Sequence, residues 1–243
     1  DVAKTNAAQI LKQAGIDVSV GVLEKESREL NKRFFTFHEK KRPYIVLKWA
    51  QTIDGFIDFE RKATTPIKPN WITDEYARMY VHKWRAEEQS IMVATNTAEK
   101  DNPKLNIRDW DGVQPVRIVL DRSLRLKDDL FLFDGTQKTL VFTEKQMEDK
   151  ENVEYLRVSF GDSFYDEFLQ VLYEKEIQSV FIEGGAQLLQ NLIDRGLWDE
   201  ARVFVGDGKF FKGVKAPVLV KQALSKKNLN ISTLFTYKNY KMI

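Results

Sequence analysis

Apolar residues along the chain fall into short, nearly continuous runs that alternate with stretches of helical periodicity. Six runs are rich in β-branched and aromatic residues, as buried strands are, and they are Tyr44–Trp49, Ser90–Thr95, Val116–Asp121, Thr139–Thr143, Val180–Glu183 and Ala201–Val205. Helical patterns lie between several of them, at Thr73–Glu87, Ser163–Lys175 and Ala186–Arg195. Strands that are apolar on both faces and alternate with helices are typical of a parallel sheet covered on both sides. The pattern therefore predicts an α/β domain with a mostly parallel sheet, and a last, antiparallel strand at Ile231–Met242.

Two of the predicted helices carry end signals. Thr73 is predicted as the N-cap of the first, and Asp74 and Glu75 follow in the first turn, where the helix dipole favours acids. Gly196 is predicted to end the helix Ala186–Arg195, since glycine readily adopts the left-handed conformation at a helix C-terminus.

The first 42 residues follow a different pattern. They predict a helix at Asn6–Ala14 that stops at Gly15, a short strand at Ile16–Val20 and a helix at Leu23–Phe35. The charged segment Glu39–Pro43 then breaks the pattern, because proline disfavours helix in the residue before it. These elements have no sheet of their own to join, so residues 1–42 are predicted to be the tail of an upstream domain, and residues 43–243 the main domain.

Composition excludes several classes of protein. The net charge of +2 is too small for a diffuse nucleic-acid surface, and no apolar run approaches the ~20 residues of a membrane span. The chain has no cysteine, which excludes disulfides and thiolate chemistry and fits a reducing, cytoplasmic compartment. His38 and His82 lack metal-ligand spacing and are predicted to be surface or linker residues. The Gly-rich dinucleotide and ATP motifs, the serine-nucleophile motif and the zinc-deaminase motifs are all absent.

Lys48 interrupts the apolar run of the first predicted strand, and a polar cluster with an Asp54–Gly55 turn follows it. Lysine is rarely buried without a partner, and α/β sheets place ligands at the carboxyl ends of their parallel strands. The segment Lys48–Gly55 is therefore either part of a ligand site or an ordinary strand that ends in a turn.

Three further segments each allow a functional and a structural interpretation. Trp71 is either a hydrophobic staple or an aromatic wall for a flat ring, and Arg85 is either a solvated charge or a phosphate ligand. The polar stretch Thr95–Arg108 is either a functional loop or a solvated connector. The segment Glu183–Ala186 opens a helix with two glycines, which suits a phosphate because the backbone and the helix dipole become accessible; a plain strand–helix turn is the alternative.

The order and spacing of several motifs resemble one known family. The motifs are R-P-Y-x-x-L-K followed by D-G, W-I-T with Arg85 fourteen residues after the Trp, T-x-x-x-D-x-P-x-L-x-x-R, R-I-V-L-D-R, E-G-G-x-x-L and L-W-D-E. From Arg42 onward the chain resembles the reductase domain of the bifunctional riboflavin-biosynthesis deaminase-reductase, and Ala8–Phe35 resembles the tail of the deaminase domain that precedes it.

The resemblance implies a dihydrofolate-reductase-like fold, a homodimer, NADPH as hydride donor and 5-amino-6-(5-phosphoribosylamino)uracil as substrate. The cofactor-lining positions that it implies are Ala50, Trp71, Thr97, Asp101, Gly184, Gly185 and Ala186. The substrate positions are Lys48, Arg85, Leu105, Arg108 and Glu183.

The side-chain chemistry of five residues suggests individual roles in this reaction. Lys48 and Glu183 are the candidates for catalysis, and Arg85 and Arg108 for pairing with the substrate 5′-phosphate. Arg122 follows a buried strand and is the candidate for the 2′-phosphate of NADPH.

The chain also departs from the family pattern. Pro69 stands where a serine is usual, Asp58–Lys68 does not follow the usual short loop, Asn102 precedes Pro103 in place of the usual aspartate, and Lys212-Gly213 replaces a Gly-Gly. A pterin or folate reductase of the same fold, and a nucleotide-binding module without activity, stay open as alternatives.

Overall fold

The computed structural model describes residues 7–62 and 64–239, and its strands follow the predicted apolar runs with several additions. The strands are β1 (Tyr44–Thr52), β2 (Phe56–Phe59), β3 (Ser90–Ala94), β4 (Val116–Leu120), β5 (Thr139–Thr143), β6 (Val153–Arg157), β7 (Ser179–Gly184), β8 (Glu200–Gly206), β9 (Gly213–Lys215), β10 (Ser225–Asn228) and β11 (Ser232–Lys238). The helices are α1 (Ala7–Gln13), α2 (Glu24–Leu30), α3 (Lys32–Lys40), α4 (Glu75–Glu87), α5 (Thr95–Asp101), α6 (Phe164–Glu174) and α7 (Ala186–Asp194), with a 3₁₀ turn at Phe131–Phe133. None of the helices in this described part of the chain is long and apolar enough to cross a bilayer.

Nine strands form one sheet in the order β10-β11-β8-β1-β7-β3-β4-β5-β6, and β2 and β9 form a separate pair. The seven strands from β8 to β6 are mutually parallel, whereas β11 runs antiparallel to β8, and β10 antiparallel to β11. The predicted mostly parallel sheet and its antiparallel last strand are therefore confirmed. Residues 240–242 of that predicted strand lie outside the described residues.

Side-chain alternation divides the core between the two faces of the sheet. Ile45, Leu47 and Trp49 of β1 pack into the cluster that contains α6 and α7, while Tyr44 and Val46 pack into the cluster that contains α4. Helices thus cover both faces, as the apolar strands predict.

The same alternation places the two charged residues of the central strands on the α4 face. Lys48 follows the period of Val46, and Glu183 follows that of the buried Phe181. Leu47 is in register with Ile182 on the neighbouring strand, so Lys48 and Glu183 come next on adjacent strands. The sheet therefore presents both side chains beneath α4.

Several predicted elements differ from the structure. Ile16–Val20 is not a strand, because no strand of the described chain lies beside it to supply hydrogen bonds. The predicted helix Leu23–Phe35 is divided into α2 and α3 at Asn31, which leaves the helical conformation. Asp74 and not Thr73 caps α4, since its carboxylate accepts the N–H of Ala77 at 2.9 Å.

The N-terminal helices differ in how they contact the sheet. Lys32 on α3 pairs with Glu200 at 2.9 Å, and Arg33 pairs with the fully buried carboxylate of Glu88. In contrast, α1 and α2 bury no residue. The part of the N-terminal segment closest to β1 is therefore anchored to the sheet by ion pairs.

Candidate active site

A cavity of about 1110 Å³ opens at the carboxyl ends of β1, β3, β4 and β7. All thirteen residues predicted for the site line it, and they are Lys48, Ala50, Trp71, Arg85, Thr97, Asp101, Leu105, Arg108, Arg122, Glu183, Gly184, Gly185 and Ala186. Pockets that bind one small molecule usually measure about 300–1,000 Å³, so this cavity lies above the usual range for a single ligand. The structure brings the predicted residues to one place, and their individual roles remain predictions.

A buried ion pair joins α4 to the end of β7. The Nε and Nη2 atoms of Arg85 donate to the two carboxylate oxygens of Glu183 at 2.7 and 2.8 Å, and Nη1 donates to the carbonyl of Asn106 at 2.8 Å. About 10% of each charged side chain is exposed. No sequence pattern indicates this pair, because the partners lie 98 residues apart.

The pair changes the interpretation of Arg85. It was predicted to bind the substrate phosphate, yet three of its five N–H groups are directed to Glu183 and Asn106. Its charge is also balanced by the carboxylate. The pair with Glu183 and the bond to Asn106 therefore use three of its donors, only one N–H on each Nη atom stays available to a ligand, and a role at the substrate phosphate stays a prediction.

Lys48 and Glu183 influence each other's protonation. Burial alone would raise the pKa of Glu183, but the charges of Arg85 and Lys48 and the hydrogen bonds from Arg85 hold it well below its usual range. Burial lowers the pKa of Lys48, Glu183 opposes this, and Arg85 adds to it, so the net pKa lies below 10.5. Glu183 is thus an anion that accepts hydrogen bonds. Lys48 gives up a proton more readily than an ordinary lysine does.

Lys48 lies within β1, four residues before its end at Thr52. No side chain in the described residues hydrogen-bonds to its Nζ atom, which lies 6.0 Å from the centroid of the Phe204 ring. An ammonium group that lines a cavity without a fixed partner can donate to a bound molecule.

Gly184 and Gly185 lie directly against Thr97. A Cβ atom added to either glycine would stand only 3.3–3.4 Å from the Thr97 hydroxyl, so a larger residue would crowd this wall. Gly185 is also the N-cap of α7 and offers no side chain to the first N–H groups of the helix. These donors and the helix dipole form an anion-binding position that opens onto the cavity.

The predicted polar loop Thr95–Arg108 begins with a helix, α5, which the sequence pattern did not predict. Asp101 at its end pairs with Arg61 at 2.6 Å, and Arg61 also contacts Asp58 and the carbonyls of Lys68 and Lys100. Arg61 therefore fastens the divergent loop to α5 along the cavity rim. No local pattern marks it, because its contacts with Lys100 and Asp101 join residues 39 and 40 positions apart in the sequence.

Trp71 is exposed over 56% of its surface, and the Arg78 guanidinium lies 4.6 Å from its ring centroid. The ring is thus not buried as a hydrophobic staple would be; it lines the cavity, and its role as a wall for a flat ring stays a prediction.

Charge is distributed unevenly around the cavity. Ten cationic residues line it, namely Lys48, Arg61, Arg78, Arg85, Lys100, Lys104, Arg108, Arg122, Arg125 and Arg195. Its acidic residues are three, Asp58, Asp101 and Glu183. This excess favours anionic ligands such as phosphate esters, although the chain as a whole is nearly neutral.

His82 is not a surface residue as predicted. It is 2% exposed on α4 and lines the cavity beside Arg85 and Arg108. Burial, Arg85 and Arg108 lower the pKa of its imidazole to about 4, so the ring is neutral at physiological pH. The segment Leu105–Asp109, distant in sequence, covers it, and therefore helical periodicity alone did not reveal its burial.

Comparison with known proteins places this geometry in a family. The chain is 35% identical over 229 residues to the riboflavin biosynthesis protein RibD of Aquifex aeolicus, covering 92% of this chain and 60% of the relative. It superposes with a TM-score of 0.84 and 31% identity on a Thermotoga maritima diaminohydroxyphosphoribosylaminopyrimidine deaminase/5-amino-6-(5-phosphoribosylamino)uracil reductase, covering 96% of this chain and 67% of that one. The riboflavin biosynthesis reductase Rib7 of Saccharomyces cerevisiae shares the fold, with a TM-score of 0.65 and 17% identity over 86% of this chain and 99% of that one.

The chain spans 54–60% of the length of the first three curated relatives that it matches. The RibD C-terminal domain family matches residues 43–240, which begin one residue before β1 and include every residue of the predicted site. The chain therefore belongs to the RibD C-terminal domain family.

Proposed function

We propose that this domain reduces 5-amino-6-(5-phosphoribosylamino)uracil to its ribityl form with NADPH. The proposal rests on one cavity that combines a partly buried cluster of Lys48, Glu183 and Arg85, a helix N-terminus opened by glycines and an excess of cations. The cluster supplies a proton donor, and the cations suit ligands that carry phosphate. The Thermotoga maritima relative, which is named as a reductase of this compound, supports the choice of substrate.

The residues around Gly184 fit a nicotinamide dinucleotide. Its pyrophosphate suits the uncapped N–H groups at the start of α7, and the missing side chains of Gly184 and Gly185 leave the backbone accessible. Ala50, Trp71, Thr97, Asp101 and Ala186 are proposed to line the rest of the cofactor site. When bound, NADPH supplies the hydride for the reduction.

The substrate is proposed to react after its ribosylamine opens to an imine at the sugar C1. Reduction adds a hydride to that carbon and a proton to the nitrogen, which gives the ribitylamine. Lys48 Nζ donates the proton, since its pKa is lowered and it lacks a fixed partner. Glu183, held as an anion by Arg85, accepts hydrogen bonds from the ribose hydroxyls or the pyrimidine edge. Holding the reacting atoms in line supplies several further kcal/mol.

Arg108 and Leu105 are proposed to complete the substrate site. Leu105 is 1% exposed and has a left-handed backbone with φ of 48°, which turns the chain so that Arg108 follows at the cavity. The Arg108 side chain is 46% exposed, and its planar fork suits the 5′-phosphate.

Assays of NADPH oxidation separate the candidate functions. We expect turnover with 5-amino-6-(5-phosphoribosylamino)uracil and none with dihydrofolate. Turnover with dihydrofolate alone would favour the pterin or folate reductase. NADPH binding without oxidation by either compound would favour a nucleotide-binding module.

We predict a preference for NADPH over NADH that depends on Arg122. This side chain is 63% exposed, lines the cavity at the end of β4 and has Glu144 as an ion-pair partner at 2.9 Å. Arg122→Ala is expected to weaken NADPH binding about three- to tenfold, since an exposed charge-assisted bond is partly screened, and to leave NADH binding unchanged. Arg157→Ala, an exposed arginine outside the cavity wall, is the control in the same fluorescence titration. Equal affinity of the wild type for both nucleotides would overturn the prediction.

We also propose that residues 1–42 are the tail of a preceding deaminase domain and its linker, and that the protein is a cytoplasmic homodimer. The absence of buried residues in α1 and α2 and the deaminase/reductase name of the Thermotoga maritima relative support the first proposal. The lack of cysteine supports the compartment.

A further inference from the structure

The segment Leu105–Asp109, here called the Arg108 segment, is held by side chains and belongs to no helix or strand. Arg85 donates to the carbonyl of Asn106 at 2.8 Å. The Gln114 amide bonds both to the N–H of Ile107 at 2.8 Å and to its carbonyl at 2.9 Å. Side-chain hydrogen bonds thus hold the carbonyl of Asn106 and both backbone groups of Ile107.

His82 contacts the next backbone group in this series. Its Nδ1 atom accepts the N–H of Arg108 at 3.4 Å, and its Nε2 atom lies 3.2 Å from a carboxylate oxygen of Asp109. A neutral imidazole accepts at one nitrogen and donates at the other, so this arrangement requires the proton on Nε2. The charged groups around the ring are Arg85, Arg108, Asp109 and Glu183, and their combined effect with burial keeps it neutral.

The direction of the Arg108 side chain depends on this backbone contact. Within the described chain, its guanidinium has one hydrogen bond, from Nη1 to the Asn106 amide oxygen at 3.3 Å, and a longer approach of 3.8 Å to Asp109. Both partners belong to the Arg108 segment itself. The guanidinium is therefore related to the rigid α4 and the sheet mainly through its backbone, with the Asp109 carboxylate, which also lies near His82, as the one longer side-chain approach in the described residues.

We propose that His82 is a positioning residue that aims Arg108 at the phosphate of the substrate by accepting the Arg108 backbone N–H. This rests on the proposed function, in which Arg108 binds that phosphate. His82 does not touch the reacting atoms; it determines how well the phosphate site is formed before the substrate arrives. The competing interpretation is that His82 only fills space beneath the segment.

Binding of ribose 5-phosphate tests the proposal without turnover. In NMR titrations that follow the Arg108 Nε–H signal, His82→Leu, which has no acceptor, is expected to bind about three- to tenfold more weakly than the wild type, as for the loss of one hydrogen bond. His82→Asn, whose side-chain oxygen can take the place of Nδ1, is expected to bind within about twofold of the wild type. In a protein that already carries Arg108→Ala, adding His82→Leu should weaken binding no further, because the group that His82 positions is then absent.

Equal affinities in the wild type and His82→Leu would overturn the proposal, as would a wild type in which ribose 5-phosphate leaves the Arg108 signal unchanged. A second measurement on the wild type alone covers the case that the leucine variant does not fold. Nitrogen chemical shifts of His82 should show an unprotonated Nδ1, and a protonated Nδ1 would also overturn the proposal. Failure of the proposed reduction is distinguishable, since NADPH oxidation would then be absent while ribose 5-phosphate still binds at Arg108.

Discussion

Lys48→Met is expected to lower kcat by about two to four powers of ten, the range for loss of a positioned general acid. Methionine keeps most of the apolar stem and removes the ammonium group, so the packing of β1 should persist. NADPH binding should change little, because the proposed cofactor contacts come from other residues. Steady-state turnover and fluorescence titration measure the two quantities, and Lys226→Met on the exposed strand β10 is the matched control.

The pH dependence of kcat adds an independent check on Lys48. Only the protonated amine can donate, so kcat falls as the pH rises through the pKa of Lys48. Burial lowers that pKa, and the alkaline fall should therefore occur below the 10.5 of an ordinary lysine. It should be absent from the residual activity of Lys48→Met. An unchanged kcat, or the same alkaline fall in the variant, would remove Lys48 from the mechanism.

Arg85→Leu is expected to destabilise the protein by about 3–5 kcal/mol, the usual cost of leaving one member of a buried ion pair without its partner. Glu183 would lose its main counter-charge in a site where only 11% of its side chain is exposed, and the carbonyl of Asn106 would lose its donor. The free energy of unfolding from urea denaturation measures the effect.

A second substitution distinguishes the stability lost with the ion pair from the stability lost with the packing of the Arg85 side chain. Glu183→Gln in the Arg85→Leu background replaces the unpaired carboxylate with a neutral amide, whose burial costs much less, so most of the lost stability should return. Turnover should not return, because the Glu183 carboxylate proposed to bind the substrate and its arginine partner are then both absent. Arg28→Leu, which removes the exposed partner of Glu39, is the control and should change stability little. If the double variant is no more stable than Arg85→Leu, the loss comes from packing and not from the charge.

Much of the fold was predictable because burial leaves a periodic signal in the sequence. Strands such as β4 and β5 are buried at nearly every residue, and their short length and β-branched residues favour strand over helix. The helix α5 was missed because Ala98 is its only buried residue, which leaves no apolar stripe to detect. The cap of α4 was assigned one residue early, since both Thr73 and Asp74 are good caps and only backbone geometry distinguishes them.

The sequence predicted which residues belong to the site, but not the contacts that they make with one another. Family resemblance named Arg85 and Glu183 as substrate residues, but the pair that they form depends on α4 packing against β7. The roles of His82 and Arg61 likewise depend on segments that meet only in the folded chain. Local sequence carries information about a residue's own helix or strand, and these contacts are set by how separate elements pack.

Deuterium transfer tests the central claim most directly. NADPH deuterated at the transferable position of its nicotinamide would be incubated with the protein and 5-amino-6-(5-phosphoribosylamino)uracil, and the product examined by mass spectrometry and NMR. If the cavity holds the cofactor against the opened ribose, one deuterium should appear at C1 of the ribityl chain for each NADPH consumed. NADPH oxidation that leaves C1 without deuterium, or no oxidation at all, would contradict the assignment of this cavity as the reductase site.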